Sequence, residues 1–402
     1  MALIHSSYFR PKVNPVKSDE NPTEIDRLQD FTGTITLNRE KIREIGRDGI
    51  VDWRKFTPEV TLTLRQLEYG SLEFYNQLAN KSLSSTKVEF KEFKTSMVDI
   101  AGYKTDDDGN FVSTIWYPKF RVSGISLAIG DPDALVERTF TLVGEDEITL
   151  QNDNKYLIFK KTNPGTGQDQ TISISDPTVV ADPDNSGAYL FRVGRIRSGT
   201  YTELTHGTDW SCDGTDLTIN GQSYSSDVIK YVYSASSYIS GEEPFTENDS
   251  DAAGLTADSC SIYLVDTNNY VYKLQSVGID VTFDRFDVKE IGNDDVVARG
   301  VRDRNISITL GRVLDQWTIE EILRGVAGLD FGKIDPRKFE SNLTLIIKIY
   351  TSSTKSSFAI GYKFTDLAPT GLDAGVPLND YLTRGVTLQC EDGAITTDEN
   401  QL

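Results

Sequence analysis

Apolar and polar residues alternate with a period of two along several short runs of this chain. Ile35 and Leu37 stand between Thr34, Thr36 and Asn38, which predicts a strand with one buried face. Val60, Leu62 and Leu64 alternate in the same way with Thr61, Thr63 and Arg65. Far downstream, Val281 and Phe283 alternate with Asp280, Thr282 and Asp284, and Ile306, Ile308 and Leu310 with Ser307, Thr309 and Gly311. The aliphatic set of each strand is expected to face a core. Two stretches switch to helical spacing. Leu72, Tyr75 and Leu78 predict a short helix over 71–81 with Ser71 as its N-cap. Thr318-Ile319-Glu320-Glu321 forms a capping box ahead of Ile322-Leu323, with Gly325 and Gly328 as stops.

These patterns recur at one offset. Leu28-Gln29 returns as Leu274-Gln275, Thr36 as Thr282, Arg39 as Arg285, and Glu44-Ile45-Gly46 as Glu290-Ile291-Gly292. From 28 to 64, eleven of 37 positions match without a gap at an offset of 246. Arg138, Thr141, Leu142 and Asp146 meet Arg384, Thr387, Leu388 and Asp392 at the same offset. Between these anchors Tyr117-Pro118-Lys119-Phe120 roughly matches Tyr362-Lys363-Phe364. Chance would not restore one register across so long a stretch, so the chain holds two copies of one unit. They span 28–148 and 271–402, the second with a C-terminal tail. Each reads as a small β-sandwich or half-barrel with one short helix.

Between the copies lies a stretch of different character, 149–270, rich in Gly, Ser, Thr, Asn and Asp. It predicts a small all-β domain displayed outward, with strands at 156–159, 188–193, 216–219 and 228–233. Pro164-Gly165, Asp213-Gly214 and Asn220-Gly221 are the expected turns. Residues 1–27, with Pro11, Pro15 and Pro22 and no periodicity, read as an extended N-terminal arm or a disordered terminus.

Composition narrows the function. The chain has 402 residues, 41 basic and 61 acidic, for a net charge of −20. That balance argues against a protein that grips phosphate backbones. About half of the excess sits on the insert, which carries 7 basic and 17 acidic residues. No apolar run reaches the roughly 18 residues of a membrane helix, and 1–13 has no apolar signal-peptide core. The only histidines are His5 and His206, the second in the polar turn His206-Gly207-Thr208-Asp209, so acid–base and metal chemistry lose their usual residue. Cys212, Cys260 and Cys390 are too scattered for a disulfide framework or a zinc site. Asp182-Pro183-Asp184-Asn185-Ser186-Gly187 imitates the start of a calcium loop but has Val193 at the twelfth position; an Asp/Asn/Gly turn is the plainer reading. Asp106-Asp107-Asp108-Gly109 reads as a hairpin tip. No phosphate-binding glycine loop occurs, and Trp53, Trp116, Trp210 and Trp317 are isolated. The expectation is a non-enzymatic protein with no catalytic residue, cofactor or metal.

One series of residues resembles a known family. It runs Thr34 to Asn38, Arg39, Glu44-Ile45-Gly46, the polar loop 47–57 and the strand Val60 to Leu64. The second copy repeats it as Asp280 to Asp284, Arg285, Glu290-Ile291-Gly292, 293–305 and Ile306 to Leu310. The series is similar to the tube domain of the tail tube proteins of long-tailed phages, and the resemblance covers both repeats but neither arm nor insert. It implies subunits that assemble into rings which stack as a hollow tube, inward strands closing a β-barrel through which DNA passes during ejection. Two fused domains per chain imply a trimeric ring with pseudo-sixfold symmetry. The implied partners are further copies of the chain, tail terminator, baseplate or tape measure proteins, and double-stranded DNA in transit, with no membrane. The implied location is the virion, after synthesis in the host cytoplasm.

Under the resemblance, Thr34, Thr36, Asn38, Thr61, Thr63, Arg65, Asp280, Thr282, Asp284, Ser307 and Thr309 would line the channel; the alternative is an ordinary solvent face. Arg47, Asp48, Asp52, Trp53, Arg54, Lys55, Asp294, Asp295, Arg299 and Arg302, on the loops 46–57 and 292–303, would contact the next ring; the alternative is ordinary surface loops. Two other functions remain open: another phage tail or baseplate ring protein, and a carbohydrate-binding β-sandwich of a tail fibre.

Overall fold

A computed structural model describes residues 9–37, 39–42, 52–55, 57–106, 108, 110–131, 133–151, 156–174, 191–212, 216–235, 254–264, 269–270, 274–289, 296–313, 342–375 and 383–402. The chain is mainly β. The first repeat supplies β1 (Phe9–Pro15), β2 (Thr23–Glu24), β3 (Leu28–Thr36), β4 (Arg39–Ile42), β5 (Asp52–Lys55) and β6 (Glu59–Leu67). Helix α1 (Glu73–Leu78) follows, then β7 (Lys87–Glu89), a 3₁₀ turn Phe90–Thr95, β8 (Val98–Thr105), β9 (Phe111–Ile129), β10 (Glu137–Gly144) and β11 (Ile148–Gln151). The inserted region supplies β12 (Tyr156–Thr162), β13 (Gly167–Ser173), β14 (Arg192–Arg197), β15 (Thr200–Glu203), β16 (Trp210–Cys212), β17 (Asp216–Ser223) and β18 (Val228–Ala235). Strands β19 (Cys260–Leu264) and β20 (Asn269–Tyr270), inside the stretch 149–270, join the second repeat through β23 (Leu343–Tyr350). That repeat also supplies β21 (Leu274–Lys289), β22 (Val296–Val313), β24 (Phe358–Gly375), β25 (Thr383–Cys390) and β26 (Asp392–Thr396).

The two repeats share one antiparallel sheet, in the order β3–β6–β10–β9–β21–β22–β25–β24. The first four strands and the last four are the same set, laid head to tail. Each repeat also has a flanking sheet: β1–β8–β9–β11 in the first and β19–β23–β24–β26 in the second. The long strands β9 and β24 serve both sheets by turning a corner. Each turns next to a non-glycine residue in the left-handed region, Lys119 and Asp366, both at φ 55°; strands that switch sheets do so at such irregularities. One apolar cluster fills the space between the sheets and runs through both repeats, from Val60, Leu62 and Leu64 to Ile306, Ile308 and Leu310, with Phe140 and Phe364 fully buried.

Several expectations need correction. Residues 9–15, read as arm or disordered terminus, form β1, paired along its length with β8 and matching the role of β19. Pro11 and Pro15 fit there because only Lys12 and Val13 pair on the other side, with β2. The match of Tyr117 with Tyr362 slips by two residues. Through its partner Ile100, Tyr117 corresponds to Phe364, which sits opposite Leu345. The helix starts at Glu73 with Leu72, not Ser71, at the N-cap position. Ser71 Oγ still accepts the Glu73 N–H at 3.2 Å. Asn220-Gly221 lies inside β17 rather than at a strand end, where Gly221 at φ 82° donates its N–H to Asp169. The helix expected over 318–328 and the calcium-like string at 182–187 lie outside the described residues, as do Asp213 and Gly214.

The insert is a two-layer sandwich, β12–β18–β14–β15 over β13–β17–β16, with its own core around Trp210, Leu217 and Tyr233. It is not merely tethered. Leu157 and Val232 pack on Tyr103, Phe111 and Trp116 of the first repeat, and Tyr103 donates to the Leu157 carbonyl at 3.0 Å. Arg192 forms a bidentate pair with Asp99, both buried. Burial alone would raise the Asp99 carboxyl; the charge and hydrogen bonds of Arg192, the Lys119 N–H and Asn14 overcome it and hold it below its usual value. Lys230 places its ammonium among the carbonyls of Pro15, Ser18 and Glu20, and burial pushes its pKa down to about 7.

Candidate assembly surface

The wide sheet has one face on the core and the other polar. Its strand pairing joins residues far apart in sequence into rows, one running Thr32, Thr63, Thr141, Gly124, Thr282 and Asn305. Of the channel candidates, Thr34, Thr36, Arg65, Asp280, Thr282, Asp284 and Thr309 are exposed on this face, and Thr61, Thr63 and Ser307 are half-buried between their neighbours. Asn38 lies outside the described residues. The sheet therefore brings both repeats' candidates onto one surface. Sequence reasoning missed Ser126, Thr139 and Thr141, whose strands connect the two sets; the alternation in Arg138-Thr139-Phe140-Thr141-Leu142 carried the signal. Arg65, the one cation among the channel candidates, is 3.5 Å from Glu137 on the adjacent strand, and both side chains are exposed.

Among the described residues the sheet ends in two open edges: β3 pairs only with β6, and Ala368–Gly375 of β24 only with β25. Ile35 and Leu37, expected in the core, are 48% and 61% exposed. Their counterparts Val281 and Phe283 are 1% and 4% exposed. The difference is a neighbour: β9 covers β21 through pairs from Val277–Ile129 to Thr282–Gly124, whereas among the described residues no strand pairs with the other side of β3. An edge of this kind, with unpaired backbone groups and exposed aliphatics, is a template for another strand.

At the internal junction an arginine spans the seam. The Arg285 guanidinium on β21 donates to the Val122 carbonyl of β9 at 2.5 Å, to the Phe93 carbonyl at 3.0 Å and to Ser96 Oγ at 3.3 Å. Burial, with the nearby charges of Arg121 and Arg299, pushes its pKa down to about 9. Its counterpart Arg39 lies at the open edge, exposed.

The candidates for contact between rings divide. Asp52, Trp53, Arg54 and Lys55 form β5, which pairs with β4 as a hairpin beyond the end of β3. Arg299 and Arg302 lie on the β21–β22 hairpin that extends from the same end of the second repeat. Arg299 is not a free contact residue: its side chain is 8% exposed, bidentate with Asp287 and 3.7 Å from Glu145 of the first repeat. Arg302 is 72% exposed, near Asp284 at 3.9 Å and over the exposed Phe286 ring. Arg47, Asp48, Asp294 and Asp295 lie outside the described residues.

A buried polar cluster ties the two repeats together. Arg138 is fully buried between Glu68, Gln66 and the Tyr75 ring, and Tyr362 of the second repeat donates to Glu68 at 2.7 Å. Among the described residues no group of three His, Cys, Asp or Glu side chains could hold a metal, and no helix is long and apolar enough to cross a membrane. No protein-family profile and no curated protein sequence matches this chain.

Proposed function

We propose that this chain is a structural ring former, resembling the major tail tube proteins of long-tailed phages, whose assembled rings stack into a conduit for double-stranded DNA. The observation that carries the reading is the order of the wide sheet: one four-strand set laid twice, head to tail, with its first and last strands open among the described residues. A repeat that already joins itself once within the chain can go on joining between chains, and a ring is the arrangement that leaves no edge. Three chains would supply about 24 strands, which at about 4.8 Å spacing and about 40° tilt close at a backbone diameter of about 48 Å. Two chains would give about 32 Å by the same geometry, which lining side chains would narrow to the width of the duplex itself. The trimer suits the cargo.

The polar face supports the same reading. Its rows of Thr, Ser and Asp, with Arg65 offset by Glu137, hold few cations to trap phosphates by counterion release. A duplex could slide past without sticking. Electron microscopy of the concentrated protein tests the proposal. Hollow rings or tubes with a regular axial repeat are expected; dispersed monomers at every concentration and salt tried would overturn it.

A further inference from the structure

The internal junction also specifies how one copy would meet the next. Resting on the ring reading, we infer that residues 371–375 of β24 pair antiparallel with residues 32–36 of β3 in a second copy, with Leu372 opposite Ile35 and Gly371 opposite Thr36. The register is copied from the junction inside the chain, where Ile125 faces Val281 and Gly124 faces Thr282.

The copying is licensed by how closely the two halves of the sheet coincide. Thr34 sits opposite Thr61 as Asp280 sits opposite Ser307. Both β3 and β21 carry a bulge near their start, between Leu28 and Asp30 and between Leu274 and Ser276. Gly124 sits opposite Thr141 as Gly371 sits opposite Thr387, and a bulge precedes each glycine. The bulged residue makes the same bond in both: Ser123 Oγ donates to the Thr141 carbonyl at 3.2 Å and Thr370 Oγ1 to the Thr387 carbonyl at 3.4 Å. Bulges set register, so the edge that β24 presents is the edge that β9 presents to β21.

The side chains at the two free edges fit that contact. Val281 is buried beside β9, and Phe283, just past the last β9 pair, against the Phe93 ring, whereas Ile35 and Leu37 hold the same places with no such cover among the described residues. A second copy's β24 would bring Leu372 beside Ile35 where Ile125 stands beside Val281. Arg39 then repeats Arg285. Val122, which accepts from Arg285, sits opposite Leu142, and Pro369 holds the corresponding place opposite Leu388. Arg39 therefore donates to the Pro369 carbonyl of the neighbouring copy. That one bond predicts why an arginine recurs at this place in both repeats although only one of them is covered within the chain.

Paired cysteines read the register in assembled full-length protein. Leu372→Cys with Ile35→Cys should link neighbouring copies under mild oxidation, the ladder ending at the closed ring. Leu372→Cys with Leu37→Cys, slipped by two residues on the same face at a position 61% exposed, should not. The single variants control for links through Cys212 and Cys260, both partly accessible. Asp373→Cys with Thr34→Cys reads the same register from the other face if the first variant misfolds. Arg39→Glu should weaken assembly at least tenfold, with Arg39→Lys intermediate. Rings that link through the slipped pair, or through neither matched pair, overturn this register and leave the ring reading standing. Absence of rings from the unmodified protein overturns both.

Discussion

Val281 and Phe283 in the second repeat and Ile35 and Leu37 in the first occupy the same places in the same strand of the same unit. One pair is 1% and 4% exposed, the other 48% and 61%. Nothing in the side chains accounts for this, since all four are large and apolar. What differs is the strand alongside. The comparison teaches that burial at these places comes with the junction between repeats rather than with the repeat; among the described residues the chain holds one such junction and two open edges.

Substitution should break the symmetry of the pair most visibly in stability. Phe283→Ala removes a ring packed at the internal junction and should cost about 3–5 kcal/mol. Leu37→Ala should stay within about 0.5 kcal/mol, as surface changes do. Chemical denaturation of dilute, unassembled protein measures both, and equal losses would show that the two edges are not what they look like. A similar contrast holds for charge. Arg192–Asp99 is sealed under the insert, whereas Arg65–Glu137 lies open on the polar face. Asp99→Asn should cost about 3 kcal/mol by leaving Arg192 buried without its carboxylate. Because the folded Asp99 is held below its usual value of 3.8, its contribution is present above that pH and fades as the pH falls through the lower folded value. The gap between wild type and variant should therefore close only in acid. Denaturation at neutral pH and below 3.8 checks the sign.

Assembly reads the open edge directly. Ile35→Asp should leave the dilute chain folded yet weaken ring formation at least tenfold, equivalent to about 1.4 kcal/mol; sedimentation against concentration would show it. The smallest effect is expected at Arg65. Arg65→Ala loses an exposed pair worth about 0–1 kcal/mol, and denaturation should barely register it. A large loss there would mean that the polar face is packed against something in the unassembled chain.

Much of this was legible in sequence, because alternation reports the face a residue belongs to. Val60, Leu62, Leu64, Ile306, Ile308 and Leu310 are all in the core as their period implies. Alternation does not report whether a neighbour is present, which is why Ile35 and Leu37 read as core. The strand at 9–15 was hidden by Pro11 and Pro15, residues that mark a loop unless one knows the strand sits almost at a sheet edge. The docking of the insert was hidden for another reason. Arg192 and Asp99 are 93 positions apart, and one pair among many charges carries no local pattern. The offset between repeats was legible only where no residue is inserted, so it slipped around Tyr117, next to the corner that each long strand turns.

Backbone hydrogen exchange on the unmodified chain tests the central claim most directly, read at 31–36 and at 277–282 in dilute and assembled protein. Residues 277–282 should be protected in both states, because the chain supplies their neighbour. The amides in 31–36 that point away from β6 should exchange quickly in the dilute chain and gain protection on assembly. Assembly that protects other segments and leaves 31–36 open would contradict that claim.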